Sequence, residues 1–171
     1  NAGGFGFNVH LLYQAKPVAQ GGMSMKTFIL LLTALIVIGC SAADTVKPFF
    51  IIDGDTFLAA PDSVNYRLWG IDAPELDQPW GRAAKAALMD LIHRKRVTVI
   101  RRGTSYKRPV VQVTTTNDRD VALELLKMGL AWYTAEFAPD REDYKKAEAE
   151  AREAKRGLWS IRPKFVKKKQ K

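Results

Sequence analysis

Residues 67–75 read Arg67-Leu68-Trp69-Gly70-Ile71-Asp72-Ala73-Pro74-Glu75. An arginine is followed five residues on by one carboxylate and three beyond it by another. Each type has a use in phosphodiester cleavage. A hard cation needs oxygen ligands, a water nucleophile needs a base, and a phosphorus gathering equatorial charge needs a guanidinium that donates two hydrogen bonds at once. Pro74 stiffens the loop between Asp72 and Glu75. Any one of these residues alone reads better as half of a surface ion pair; the set in this order does not.

Upstream, Ile51-Ile52-Asp53-Gly54-Asp55-Thr56 places two carboxylates across a glycine. In an extended chain both acids lie on one side and repel, and a hard cation between them relieves the repulsion. Asp-Gly is also a common hairpin turn, and taken alone the turn is the better reading.

Around these stretches, Val46–Ile52, Thr56–Ala60, Val64–Ile71, Val97–Arg101 and Val110–Thr115 read as strands. Val64, Tyr66 and Leu68 face one way; Asn65, Arg67 and Trp69 face the other. Trp80–Ile92 reads as a helix, with Ala84, Ala87, Leu88, Leu91 and Ile92 on one face. A second helix, Val121–Met128, is closed by Gly129. A third runs from Arg141 to Arg156, with Gly157 ending it and exposed pairs Glu142/Lys146 and Glu148/Arg152. The expectation is an α+β fold: a five-stranded Greek-key barrel of the OB type with three packed helices. Composition alone does not separate this from other α+β folds.

The chain has 171 residues and a formal net charge of +9. A basic balance suits an anionic partner, nucleic acid or lipid headgroups. Cys40 is the single cysteine, and His10 and His93 are the two histidines. That excludes an intramolecular disulfide and disfavours a Cys/His zinc site. His93, among Arg94, Lys95 and Arg96, reads as a solvated residue.

Residues 1–22 read as an upstream segment, with Met23 or Met25 as the start. Lys26 and the apolar run Phe28–Ile38 then resemble a signal peptide over 23–43, too short for a comfortable membrane span. Val37-Ile38-Gly39-Cys40 resembles a bacterial lipobox, which makes Cys40 the expected lipidation site and the membrane a partner through that anchor. Cleavage after Ala43 is the rival. Either way the mature protein is expected to be exported. The tail, residues 164–171, is basic and expected to be disordered.

The motifs IIDGDT, RLWGIDAPE, GLAW (129–132) and AEAREAKRGLWS (149–160) resemble those of the staphylococcal nuclease (thermonuclease) family, in the same order, over Val46–Arg162. The resemblance implies an OB-fold nuclease domain over 46–163, acting as a monomer. It would cleave DNA and RNA with one calcium ion and leave 3′-phosphate ends. It implies that Asp55, Asp72 and the backbone carbonyl of Ala73 ligate calcium, with Asp53 in the outer shell. Glu75 aligns with the proposed general base, and Arg67 with a phosphate-binding arginine.

The second such arginine follows an Asp-x-Tyr-Gly motif in the family. Here the stretch is Thr104-Ser105-Tyr106-Lys107-Arg108-Pro109, so Thr104 replaces the acid and Lys107 the glycine. Arg108 is assigned, with Arg102 and Lys107 as substitutes. Tyr106 matches a tyrosine of the nucleotide pocket; another pocket tyrosine falls at Ala135, with Phe137 close by. The alternative is an inert OB-fold lipoprotein that binds nucleic acid or protein without cutting. Retention of Asp55, Arg67, Asp72 and Glu75 weighs against it.

Overall fold

The computed structural model describes residues 43–61 and 63–160. The upstream segment, the lipobox with Cys40, the expected signal up to residue 42, and the 164–171 tail lie outside them, whereas Ala43, the last residue of the expected signal, opens the first strand. Five strands close a barrel in the order β1 (Ala43–Ile51), β2 (Thr56–Ala60), β3 (Val64–Leu68), β6 (Arg108–Thr115) and β5 (Val97–Ser105). β3 and β6 pair in parallel and the other neighbours antiparallel. Two short strands, β4 (Ile71–Asp72) and β7 (Trp132–Tyr133), form a separate ladder. The expected OB-type α+β architecture is the one observed.

Alternation builds the barrel interior. Val97 and Val99 of β5, Val111 and Val113 of β6, and Phe57 and Ala59 of β2 are buried, while the residues between them are more exposed. β1 begins at Ala43, paired with Ile100, three residues before the expected start. A bulge between Pro48 and Phe50 breaks its alternation and leaves Phe49 and Phe50 both outside.

α1 (Gly81–Ile92) buries Ala84, Leu88, Leu91 and Ile92. α2 (Val121–Lys127) is capped by Asp120, whose carboxylate accepts the Leu123 N–H at 3.2 Å. α3 (Glu142–Glu153) buries Tyr144, Ala147 and Ala151.

Several expectations needed correction. The third strand stops at Leu68 because Gly70, at φ 76°, turns the chain so that Ile71 and Asp72 pair with Tyr133 and Trp132. β5 and β6 extend to Ser105 and Arg108 as one long hairpin with Tyr106 and Lys107 at its tip. α3 ends three residues earlier than the glycine suggests. Lys155 takes the left-handed conformation and the Arg156 N–H reaches back to the Ala151 carbonyl at 2.9 Å, a Schellman cap before Gly157. Glu142 pairs with Lys145, not Lys146. Glu148 pairs with Arg152 as expected and also accepts the Tyr133 N–H at 3.0 Å. His93 is half-buried, its Nε2 3.1 Å from the Phe49 carbonyl.

Gly54 is glycine for a reason the turn reading misses. A Cβ there would lie 2.6 Å from the Ala84 Cβ of α1 and 2.7 Å from the Ala73 Cβ. The close approach of three small residues seats the Asp53–Asp55 segment against the helix and the 72–75 loop. Gly54→Ala should therefore destabilise the fold by about 1–3 kcal/mol through overpacking. A denaturant midpoint unchanged from the wild type would contradict this account.

Candidate active site

The site begins where β2, β3 and β4 meet. Asp55 precedes β2, Arg67 sits on β3 opposite Thr56, and Asp72 ends β4. Asp55, Thr56 and Asp72 are the buried polar residues among the described residues. Arg67 bridges the two acids: Nη1 donates to Asp55 Oδ1 at 2.8 Å and Nη2 to Asp72 Oδ1 at 2.5 Å. Thr56 Oγ1 also donates to Asp55 Oδ1 at 2.8 Å, and the Ala73 N–H to Asp55 Oδ2 at 3.0 Å. Asp53 Oδ1 accepts the Asp55 N–H at 3.0 Å and so braces the backbone that carries Asp55.

These contacts do not offset burial. The Asp55 carboxyl is raised from 3.8 to about 6, because desolvation, aided by the Asp53 charge, outweighs the downward pull of Arg67, Ala73 and Thr56. A buried carboxylate whose charge is under-compensated is the arrangement expected where further positive charge binds. Among the described residues, no three His, Cys, Asp or Glu side chains converge into a metal cage. An ion here would rest on Asp55 and Asp72, with backbone carbonyl and water completing its oxygen shell. That set suits a hard cation and not a soft one.

Glu75 stands half-buried in the loop beyond Asp72. Gln78 fixes that loop: its Oε1 accepts the Glu75 N–H at 3.1 Å and its own N–H donates to the Glu75 carbonyl at 2.9 Å. Gly81 closes over it, since a Cβ there would lie 1.8 Å from the same carbonyl.

Beside the acids opens a cleft of about 460 Å³, lined by residues of 67–72, 102–106 and 134–137 together with Val110. Arg67, Asp72 and Tyr106 line it, as do Ala135 and Phe137. Tyr106 is 80% exposed at the hairpin tip and Phe137 58% exposed on the opposite loop. Arg108 is not among the lining residues; Arg102 is. Val111 and Val113 face the core, so Arg108, Val110 and Gln112 share the outer face of β6, and Val110 pairs with Arg67 in the β3–β6 ladder. Arg108 thus lies on Arg67's face, at the edge of the cleft. Thr56 and Trp69 belong to the site's framework, although neither carries a chemical task by residue type. Their positions inside IIDGDT and RLWGIDAPE were the available signal.

Residues 65–161 match the family described as staphylococcal nuclease homologue. An uncharacterized endonuclease of Haemophilus influenzae is 32% identical over 140 residues, covering 77% of this chain and 78% of that one. A probable endonuclease of the fungus Phaeosphaeria nodorum is 36% identical over 125 residues, 64% of this chain and 42% of that protein. A probable staphylococcal-like nuclease of Oryza sativa is 35% identical over 94 residues, 55% of this chain and 25% of that protein. The chain therefore spans less than half the length of the fungal and plant relatives.

The raised Asp55 carboxyl carries a sign that can be checked. The folded chain holds this proton more tightly than the unfolded one, so the stabilisation is complete below pH 3.8 and is lost as pH rises through about 6. In chelating buffer, the Tm of the wild type minus that of Asp55→Asn should fall from about pH 4 to about pH 7. A difference that rises with pH would show that Arg67 already over-compensates the acid.

Proposed function

We propose that this chain, which belongs to the staphylococcal nuclease family, is a calcium-dependent nuclease that hydrolyses DNA and RNA to 3′-phosphate ends. The observation that carries the reading is the Arg67 bridge between two buried acids at the mouth of a nucleotide-sized cleft. Asp55, Asp72 and the Ala73 carbonyl would hold the calcium ion, with Asp53 beyond them in the outer shell. The under-compensated Asp55 charge supports this. Bound there, calcium supplies Lewis-acid charge beside the phosphate.

The chain's own groups do the rest. Glu75 takes a proton from the attacking water. The water oxygen joins phosphorus, the bond to the 5′ oxygen breaks, and that oxygen leaves as a hydroxyl with a proton from solvent water, while Glu75 returns its own proton to solvent. Arg67 spends two of its five N–H donors on Asp55 and Asp72. The remaining donors can take the equatorial oxygens, where charge grows in the transition state. Arg108, from the same outer face, is the proposed second phosphate-binding arginine. Tyr106 and Phe137 offer exposed rings to a base.

We read the protein further as an exported monomer, anchored through an acylated Cys40. The short positive segment, the apolar run and the position of the single cysteine support that reading. No helix among the described residues is long and apolar enough to cross a membrane.

Purified protein should nick plasmid DNA and degrade single-stranded RNA with calcium and stop in chelator. Glu75→Gln should lower kcat by about 10²–10⁴-fold. Arg67→Lys and Arg108→Lys, which keep the charge and lose the planar fork, should lower kcat as well as affinity. Calcium should raise the Tm of the wild type and not that of Asp55→Ala. Undiminished cleavage in excess chelator would end the calcium reading.

For the anchor, Cys40→Ser should move the protein from the membrane fraction to the soluble one. A wild-type mature protein that is soluble and starts at Asp44 would favour cleavage after Ala43.

A further inference from the structure

We propose that Arg102, clamped by Trp69 and Gln112, forms a second phosphate subsite in the cleft. It takes the phosphate next to the scissile one on a single-stranded nucleic acid. The inference rests on the nuclease reading for its ligand class and on separate observations for its site.

Arg102 sits where the β5–β6 register shifts, between Arg101 and Gly103. Such a bulge re-aims a side chain, and here Arg102 becomes part of the cleft lining. Its guanidinium carbon lies 4.9 Å from the centre of the Trp69 ring. Nε and Nη2 both donate to Gln112 Oε1, at 3.2 and 2.5 Å. Gln112 is itself fixed, because its amide nitrogen donates to Asp120 Oδ2 at 2.9 Å. Asp120 is held in turn by the Tyr144 hydroxyl and by Arg141. The chain therefore orders a long, exposed arginine that would otherwise sample many rotamers, at an entropic cost that needs a return.

What distinguishes Arg102 is the kind of partner that orders it. Arg67, the other arginine lining the cleft, is held by carboxylates that answer its charge. Arg102 is held by an amide oxygen and an indole face, and it pairs with no carboxylate among the described residues. Its orientation is fixed and its positive charge stays available. A phosphate is the complementary ligand.

Trp69 supports the same conclusion from its own side. Arg102 lies over its ring, Arg141 lies 5.7 Å from its centre, and its indole N–H donates to the Phe137 carbonyl at 2.8 Å. Trp69 is thus occupied as a clamp, which leaves Tyr106 and Phe137 as the exposed rings for bases. Arg67, near the end of β3, and Trp69, in the turn just beyond it, both line the cleft, as Arg102 does. Two guanidinium groups, one over Trp69 and one between the acids, thus face the same cleft and can take neighbouring phosphates of one strand. A cleft of about 460 Å³ lies in the size range of small-molecule pockets and suits a nucleotide or two, not a duplex.

The test is a double-mutant cycle between protein and ligand. The full chain is titrated, in chelator, with a fluorescein-labelled single-stranded tetradeoxythymidylate. Each of its three phosphates is replaced in turn by a neutral methylphosphonate, and Kd is read by anisotropy. One replacement should weaken wild-type binding about tenfold and should cost Arg102→Ala almost nothing, because both changes delete the same contact. Arg102→Ala should also flatten the salt dependence of log K by about 0.7. Arg102→Lys should recover part of the loss. Additive losses at all three linkages, with the Arg102→Ala protein folded by its Tm, overturn the subsite and leave the nuclease reading standing. A coupled loss in a protein that then fails to cut DNA with calcium keeps the subsite and overturns the nuclease reading.

Discussion

One guanidinium holds the site together. Arg67 joins the segment before β2 to the end of β4, through two acids that are among the few buried polar groups of the described residues. Removing it would leave Asp55 and Asp72 buried without a counter-charge, the case in which breaking an ion pair is most costly. The surroundings follow from that demand. Gly54, Ala73 and Ala84 are small so that α1 and the 72–75 loop can close on the acids. Thr56 and the Ala73 N–H supply the hydrogen bonds that burial makes obligatory.

A second polar cluster sits behind the cleft and differs in kind. Asp120 caps α2 and accepts from Gln112, Arg141 and the Tyr144 hydroxyl, tying β6, α2 and α3 to one carboxylate. Burial pushes the Tyr144 hydroxyl far above the usual tyrosine range, aided by Asp120. Asp143 and Asp120 raise Arg141, more than offsetting the burial that alone would lower it. Charge and hydrogen bonding are matched throughout this cluster, as expected of a structural network. At Asp55 the balance is left open, with the carboxyl raised to about 6. Two acid–arginine clusters in one small domain thus separate by electrostatic balance: one is complete, the other retains a need for positive charge.

The barrel was legible because its strands alternate. β2 runs over Thr56–Ala60 as the pattern indicates, and the apolar faces of β5 and β6 close the interior as expected. The breaks were less legible because each depends on partners distant in sequence. Gly70 ends β3 so that Ile71 and Asp72 can pair with a strand some sixty residues on. Gly54 reads as a turn residue until α1 is packed against it. The acids and Arg67 stood out by residue type and spacing, but their mutual bonding did not. Trp69 and Gln112 carry no chemistry of their own, so their bearing on Arg102 emerges only when β3, β5 and β6 are side by side.

The hairpin tip shows how a departure from the family's pattern is absorbed. Lys107 stands where the family's motif has glycine, and it takes φ 65° behind Tyr106 at φ 47°. Non-glycine residues pay roughly 1–2 kcal/mol each for the left-handed region. The ladder nonetheless closes beneath them, with Ser105 opposite Arg108 and Thr104 opposite Pro109. The registers of β5, β6 and β3 are set by buried valines and the β3–β6 pairing, so the tip inherits its geometry and does not have to specify it. Relieved of that task, the tip can carry charge. Arg102 lines the cleft with Arg67, Asp72 and Glu136, and Arg101, Lys107 and Arg108 stand on the same hairpin outside that lining. Under the proposed function this positive charge would draw a polyanion, while Asp55 and Asp72 would hold a cation. That separation of signs over a few residues would let one small barrel bind both.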